Sequence, residues 1–314
     1  MVRTDEKKKT WPAFASWSSR LGHAIEEEAS SKPLALESGL YLVATPIGNL
    51  GDITLRALWV LKQADVILCE DTRVSGKLLQ LYGIEKKRLI SCHDHNEAGR
   101  TKDVLARLQK GEALALVSDA GTPLLADPGY KLVQACHEKG HAVFAVPGAS
   151  ALLAALTSAG LPTDRFLFVG FLPNKKTARR KEIEALQTIY ETTLVFYESP
   201  QRLAATLSDM SARFGASRKA VIVRELTKLY EEKREGTLEE LALHYEEAPA
   251  PKGEIVILVA PAPQSDAVPE NWEEMLRTAL QTMSLRDAVE TLTKATGLKK
   301  SLVYQKALFF SQEN

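Results

Sequence analysis

From Gly39 onward, short apolar runs alternate with segments of helical spacing, a pattern that predicts a parallel sheet built from βα units. The expected strands are Leu40–Ala44, Asp65–Cys69, Arg88–Ser91, Ala113–Val117 and His141–Val146. The first helix is expected from about Thr54 to Gln63, with Leu55, Leu58 and Leu61 on one face. Further helical patterns pass through Leu78, Leu79 and Tyr82 to a stop at Gly83, from about Asn96 to Lys110, and through Leu132, Val133 and Cys136. An Ala/Leu-rich helix, Ala149–Ala159, ends at Gly160 with Pro162 beyond, so the first domain is drawn as 39–160.

A second series of runs begins at Phe166: FLFVGF, then TLVFYE from Thr193, AVIVREL from Ala220 and EIVILVA from Glu254. A charged, hairpin-like stretch, Glu231–Gly236, precedes the last run, which predicts a mixed sheet in a second α/β domain over 161–262. Pro261, Pro263 and Pro269 bracket a linker. From Trp272 the spacing is helical again, with a Gly297 turn between Leu285–Ala295 and Leu302–Phe310, so 263–314 is expected to be a linker and a small helical C-terminal module resembling helix-turn-helix. Residues 1–38, of mixed charge with a Glu26–Glu28 run, are expected to form a flexible extension with one short helix.

At 314 residues the chain has room for two domains or more, and its formal net charge of zero argues against a protein that coats nucleic acid by charge alone. Cys69, Cys92 and Cys136 lack CxxC spacing, which indicates neither a disulfide framework nor a zinc cluster and points to a reducing compartment. No apolar stretch has signal-peptide or membrane-spanning character, so the expected location is cytoplasmic.

Candidate chemistry collects immediately after the strands of the first domain. TPIGN from Thr45, EDTR from Glu70, HDHNE from His93, SDAGTP from Ser118 and PGAS from Pro147 would share the carboxyl rim, where open α/β sheets bind ligands. Neither GxGxxG nor GxxxxGK[ST] occurs. The rim instead carries Glu70, Asp71, Asp94, Asp119 and Asp127, which disfavours a polyphosphate and suits a positively charged ligand such as S-adenosylmethionine. His93, Asp94 and His95 lack an identifiable distant third ligand, so no metal is expected.

Taken in order, VATPIGNLGDITLRAL, EDTR, HDHNE, VSDAGTPLLADPG, PGASA, GFLP, FYESPQR, RELTK and KGE closely resemble the ribosomal RNA small-subunit methyltransferase I family, the 2′-O-ribose cytidine branch of the tetrapyrrole methylases. The resemblance covers Gly39–Ala260 and extends to the helical tail. It implies a two-domain methylase, usually a homodimer, that binds S-adenosylmethionine in the cleft between its domains and modifies a cytidine in the decoding region of small-subunit rRNA.

Carried over by motif, the cofactor residues are Thr45, Pro46, Gly48 and Asn49; Asp119, Ala120, Gly121 and Thr122; Pro147, Gly148 and Ser150; and Lys252 with Gly253. Glu70, Asp71 and Arg73 are placed at the acceptor end, with Asp71 as base or orienter and Arg73 holding a phosphate; the competing reading is that Asp71 and Arg73 pair and cap the next helix. Lys175, Lys176, Arg179 and Arg180, within NKKTARRK, are expected to contact rRNA or the 30S subunit, with Lys294, Lys299, Lys300 and Lys306 a possible second surface. Two positions depart from the family pattern: Gln201, usually His, which argues against a universal catalytic histidine there, and Ala149, commonly Pro. The rival readings are a tetrapyrrole C-methyltransferase acting on a porphyrinogen or precorrin, and a non-catalytic ribosome-assembly or nucleic-acid-binding protein.

Overall fold

The computed structural model describes residues 36–93, 96–262 and 271–312. The expected short helix and flexible extension before residue 36, the loop residues Asp94 and His95, most of the proline linker and the Lys294 side chain lie outside the described residues. The chain forms two compact units. One comprises the described residues through Ala154 together with Glu225–Glu231, and the other comprises Ala155–Arg224 and the residues from Glu232 onward. The division thus falls before Gly160, inside the Ala/Leu-rich helix.

The first unit holds β1 (Gly39–Val43), α1 (Leu55–Gln63), β2 (Val66–Cys69), α2 (Thr72–Leu81), β3 (Arg88–Ser91), α3 (Glu97–Gln109), β4 (Ala113–Val117), α4 (Tyr130–Glu138) and β5 (Val143–Val146). All strand pairings in its sheet are parallel, in the order β3-β2-β4-β1-β5. Every residue of β2 and β4 is buried, as continuous apolar runs should be when helices cover both faces. Parallel pairing puts the ends Val43, Cys69, Ser91, Val117 and Val146 on one rim.

Local signals set the helices. Thr54 caps α1 by accepting from Ala57 N–H. The buried stripe of α1 is Ala57, Val60 and Leu61, followed by Ala64, rather than the expected Leu55–Leu58–Leu61 face; Leu55 is exposed. Spacing of three and four selects the former set, and the small Ala57 lets the helix sit close to the sheet. Tyr82 ends α2, and Gly83 supplies the left-handed residue after it at φ 68°.

The second unit contains β6 (Phe166–Phe171), α6 (Lys176–Ala185), β7 (Thr193–Glu198), α7 (Leu203–Phe214), β8 (Lys219–Arg224), β9 (Glu232–Thr237), α8 (Leu238–Glu247) and β10 (Ile255–Val259), with α5 (Ala151–Ser158) spanning the division. Its sheet order is β6-β7-β10-β8-β9, mixed because β6 and β7 run parallel while the remaining neighbours are antiparallel. The charged stretch expected as a hairpin is β9, an edge strand in which Lys233 and Glu235 are exposed and the other residues half-buried. Three helices complete this unit: α9 (Trp272–Thr282), α10 (Leu285–Thr296) and α11 (Lys300–Gln312). They bury Leu276, Val289, Leu292, Val303 and Phe310 in a core of their own. Ser284 caps α10, and Gly297, left-handed at φ 70°, terminates it.

Candidate active site

On the first unit's carboxyl rim, four of the anticipated loops are joined by hydrogen bonds. Thr45 and Gly121 exchange backbone bonds of 2.9 and 3.0 Å, tying the loop after β1 to the loop after β4. Thr45 Oγ1 donates to Ser118 C=O at 3.4 Å. Thr122 Oγ1 donates to Ala149 C=O at 3.0 Å, which brings in the loop after β5. Asp71 N–H donates to the Asp119 carboxylate at 3.3 Å, which adds the loop after β2.

Glycine is required at Gly121. Its φ is 80°, and a Cβ would lie 3.2 Å from Ile47 Cγ2. Thr45 and Pro46 are buried, Asn49 is half-buried, and Gly48, Asp119, Ala120, Pro147 and Gly148 face solvent. The Asn49 side chain accepts from Gly51 N–H and starts a short 3₁₀ turn over Leu50–Asp52. Among the first-unit residues assigned to the cofactor there is no cation. A surface of backbone groups with the Asp119 carboxylate fits a ligand carrying positive charge and no phosphate.

The acceptor-end residues take the capping arrangement. Asp71 is the N-cap of α2, accepting from Arg73 N–H at 2.8 Å, and its carboxylate receives the Arg73 guanidinium at 2.6 Å. These bonds from Arg73 hold the Asp71 carboxyl down at about 2. Such a group is a weak base, because a general base works best with a pKa near the operating pH. The Arg73 side chain is 89% exposed, so it can reach a second anion while it holds Asp71. Glu70 is half-buried beside them, its backbone carbonyl accepting from the Ser91 hydroxyl.

The basic cluster separates into two kinds of residue. Lys175 and Lys176 are exposed at the start of α6. Arg179 is instead 5% exposed and points into the second unit, where it pairs with Asp209 of α7 at 2.6 Å, so it is withdrawn from the rRNA-contacting set. Arg179 lies one turn from Ile183, on the buried face of α6. Arg180 binds the other Asp209 oxygen at 2.7 Å and keeps part of its guanidinium in solvent. Lys252 and Gly253 are exposed ahead of β10, and the Lys252 carbonyl accepts from Arg224. Gln201 is exposed, while the neighbouring Arg202 reaches Glu198 at 3.4 Å and Leu172 C=O at 2.7 Å.

Two residues that the sequence did not single out shape the rim. Glu97, the glutamate of HDHNE, is buried and accepts from Leu132 N–H at 3.1 Å. It caps α4, whose own N-cap, Gly129, has no side chain, and its charge suits a helix N-terminus. Thr227, within RELTK, accepts the Asn49 N–H at 3.1 Å. The thiols play no such part: Cys69, Cys92 and Cys136 are buried and unbridged, and burial pushes Cys92 and Cys136 up to about 11. Among the described residues no group of three His, Cys, Asp or Glu could hold a metal ion.

This architecture matches known proteins. The family model of tetrapyrrole (corrin/porphyrin) methylases matches residues 39–242, and that of the RsmI C-terminal HTH domain matches residues 266–309. Solved structures of the same fold include the methyltransferase CobJ (TM-score 0.55, 19% identity, 72% of this chain and 95% of that one). Diphthine synthase (TM-score 0.55, 17% identity, 70% and 89%) is another. The fold is therefore that of the tetrapyrrole methylases.

Among sequence relatives, the ribosomal RNA small subunit methyltransferase I of Mesorhizobium japonicum is 49% identical over 283 residues, spanning 90% of this chain and 95% of the relative. The protein of the same name from Escherichia coli O157:H7 is 46% identical over 277 residues, spanning 86% and 94%. The chain belongs to the ribosomal RNA small subunit methyltransferase I family, within the tetrapyrrole methylases.

Proposed function

We propose that this protein methylates the ribose 2′-oxygen of a cytidine in the decoding region of 16S rRNA, using S-adenosylmethionine, and that it acts in the cytoplasm as a homodimer. The observation that carries the reading is the union of the TPIGN, EDTR, SDAGTP and PGAS loops on one rim, in a chain that matches its rRNA methyltransferase relatives over nearly their whole length. A non-catalytic assembly factor has no need of such a rim. The tetrapyrrole C-methyltransferases share the fold at under a quarter identity, which speaks to architecture and not to acceptor.

When bound, S-adenosylmethionine supplies an electrophilic methyl group on a sulfonium. The chain's part is to hold donor and acceptor in line, which accounts for much of the rate in a displacement of this kind. Thr45–Asn49, Asp119–Thr122 and Pro147–Ser150 would seat the donor through backbone groups, and Asp119 would favour its positive charge. Arg73, fixed by Asp71, would orient an rRNA phosphate. With its pKa at about 2, Asp71 serves orientation and not proton abstraction. Glu70 remains as the acceptor-end carboxylate for the ribose proton. Lys175, Lys176 and Arg180 are rRNA phosphate contacts in this reading, as is Lys252 for phosphate or donor.

The test incubates the protein with methyl-labelled S-adenosylmethionine and small subunits lacking the modification, and locates the label by nuclease digestion and mass spectrometry. A labelled cytidine 2′-oxygen supports the reading. Label absent from rRNA but accepted by a porphyrinogen would replace it with the tetrapyrrole reading. In the same assay Asp71→Asn is expected to lower kcat by roughly 10- to 100-fold, through loss of Arg73 alignment, while S-adenosylhomocysteine affinity stays at the wild-type value. Unchanged kcat would remove Asp71 from the acceptor end.

A further inference from the structure

Glu225–Glu231 connects β8 to β9, yet it groups with the first unit, against the loop that follows β1. Its backbone is costly. Glu225 and Thr227 have φ values of 52° and 64°, and a left-handed φ is a marked outlier for a β-branched residue such as threonine. Strain of this kind persists only where the surroundings enforce it, and it concentrates at ligand sites.

The enforcing contacts lie within the turn. Thr227 N–H donates to Glu231 Oε2 at 2.6 Å, and Lys228 N–H donates to Glu225 C=O at 3.0 Å. Lys228 Nζ pairs with Glu225 Oε1 at 2.7 Å. So held, the Thr227 hydroxyl accepts the Asn49 N–H at 3.1 Å, at the residue that opens the 3₁₀ turn of the TPIGN loop. Burial pushes the nearby Asp52 carboxyl up, and the Thr227 hydroxyl pulls it back. One residue earlier, Gly48 passes so close beneath Lys228 that a Cβ would overlap the Lys228 Cγ. The strap and the loop are built against each other.

We propose that Thr227 is a positioning residue of the methyl-transfer site: its hydroxyl, aimed by a strained turn at the Asn49 amide, fixes the Thr45–Asn49 loop in the shape that receives the methyl donor. The inference rests on the reading of that loop as part of the donor's site.

The experiment titrates the full chain with S-adenosylhomocysteine by calorimetry and pairs each titration with donor KM, kcat and melting temperature. Thr227→Val keeps the branch and removes the acceptor; it is expected to weaken binding roughly 10-fold and to raise donor KM in step, with kcat little changed. Thr227→Ser retains the hydroxyl and is expected to restore both values. Thr227→Gly relieves the left-handed strain, so it should melt no lower than wild type and still bind weakly. A residue serving only the fold would not separate stability from affinity in that way. Wild-type affinity in both the Val and Gly variants would overturn the inference alone, whereas failure of the wild-type chain to bind would overturn the donor-site reading and this inference with it.

Discussion

Replacing Asp209 with alanine is expected to destabilise the second unit by about 3–5 kcal/mol, the range for removing one partner of a buried ion pair. The carboxylate is 2% exposed and receives Arg179 at 2.6 Å and Arg180 at 2.7 Å. Its removal strands the Arg179 guanidinium in a site closed to water, where an unpaired charge is costly. Arg180 can turn to solvent, so the loss is dominated by Arg179. Chemical denaturation of the two proteins measures the difference. An Arg179→Met, Asp209→Leu double variant should recover most of it, because the stranded charge is then gone.

The same pair predicts a pH window. Burial pushes the Asp209 carboxyl up, but the bonds from Arg180 and Arg179 outweigh it and leave the pKa below its ordinary value. A group depressed in the folded state contributes stability that is fully present above its unfolded pKa, about 3.9, and is lost as pH falls through the folded value. Wild-type stability should therefore decline below about pH 4 more steeply than that of Asp209→Ala. Parallel acid profiles would show that the pair contributes no such linkage.

Gly121→Val is expected to cost on the order of 100-fold or more in kcat/KM for methyl transfer while leaving the circular dichroism spectrum native, since a displacement of about 1 Å near aligned reactants has that effect. Two causes act together. Valine at φ 80° is strained, and its Cβ would crowd Ile47 at 3.2 Å. Both relax only if Gly121 moves, and its N–H and C=O are the groups that bond Thr45. Gly140 provides the control: it has a similar φ of 73°, open space around its Cβ position, and a place just before β5, away from the carboxyl rim. Gly140→Val should carry a similar stability cost, roughly 1–3 kcal/mol, with activity retained. Equal activity losses in the two variants would trace the Gly121 effect to general instability.

Much of the fold was legible because its signals are local. Ala113–Val117 is apolar throughout and is the central, doubly covered strand; Gly83 and Gly297 sit where helices stop; the charged run after Arg224 is an edge strand. The parts that were not legible depend on partners far along the chain. In sequence, Arg179 belongs to a basic cluster, and only Asp209, on another helix, turns it inward. Glu97 reads as part of a polar loop until α4 presents an uncapped Leu132 N–H. Thr227 is 178 residues from Asn49, and no local pattern announces the contact. For Asp71 and Arg73 the sequence offered two arrangements, and bond geometry selects the cap without removing the pair from the rim.

The strand order β3-β2-β4-β1-β5 also bears on how the protein is made. As the chain emerges during synthesis, β1 and β2 appear long before β4, yet in the finished sheet each pairs with β4 and neither with the other. Before β4 emerges β2 can pair with β3, but β1 has no native neighbour, and joining β1 to that pair waits on the insertion of β4, a non-local step that slows folding. The Thr45–Gly121 bridge forms only with that insertion. A ligand that needs both loops binds no earlier intermediate and draws the population toward the completed sheet by mass action. A chain still lacking β4 therefore lacks the bridged pair of loops, and the rim is completed only once that central strand is in place.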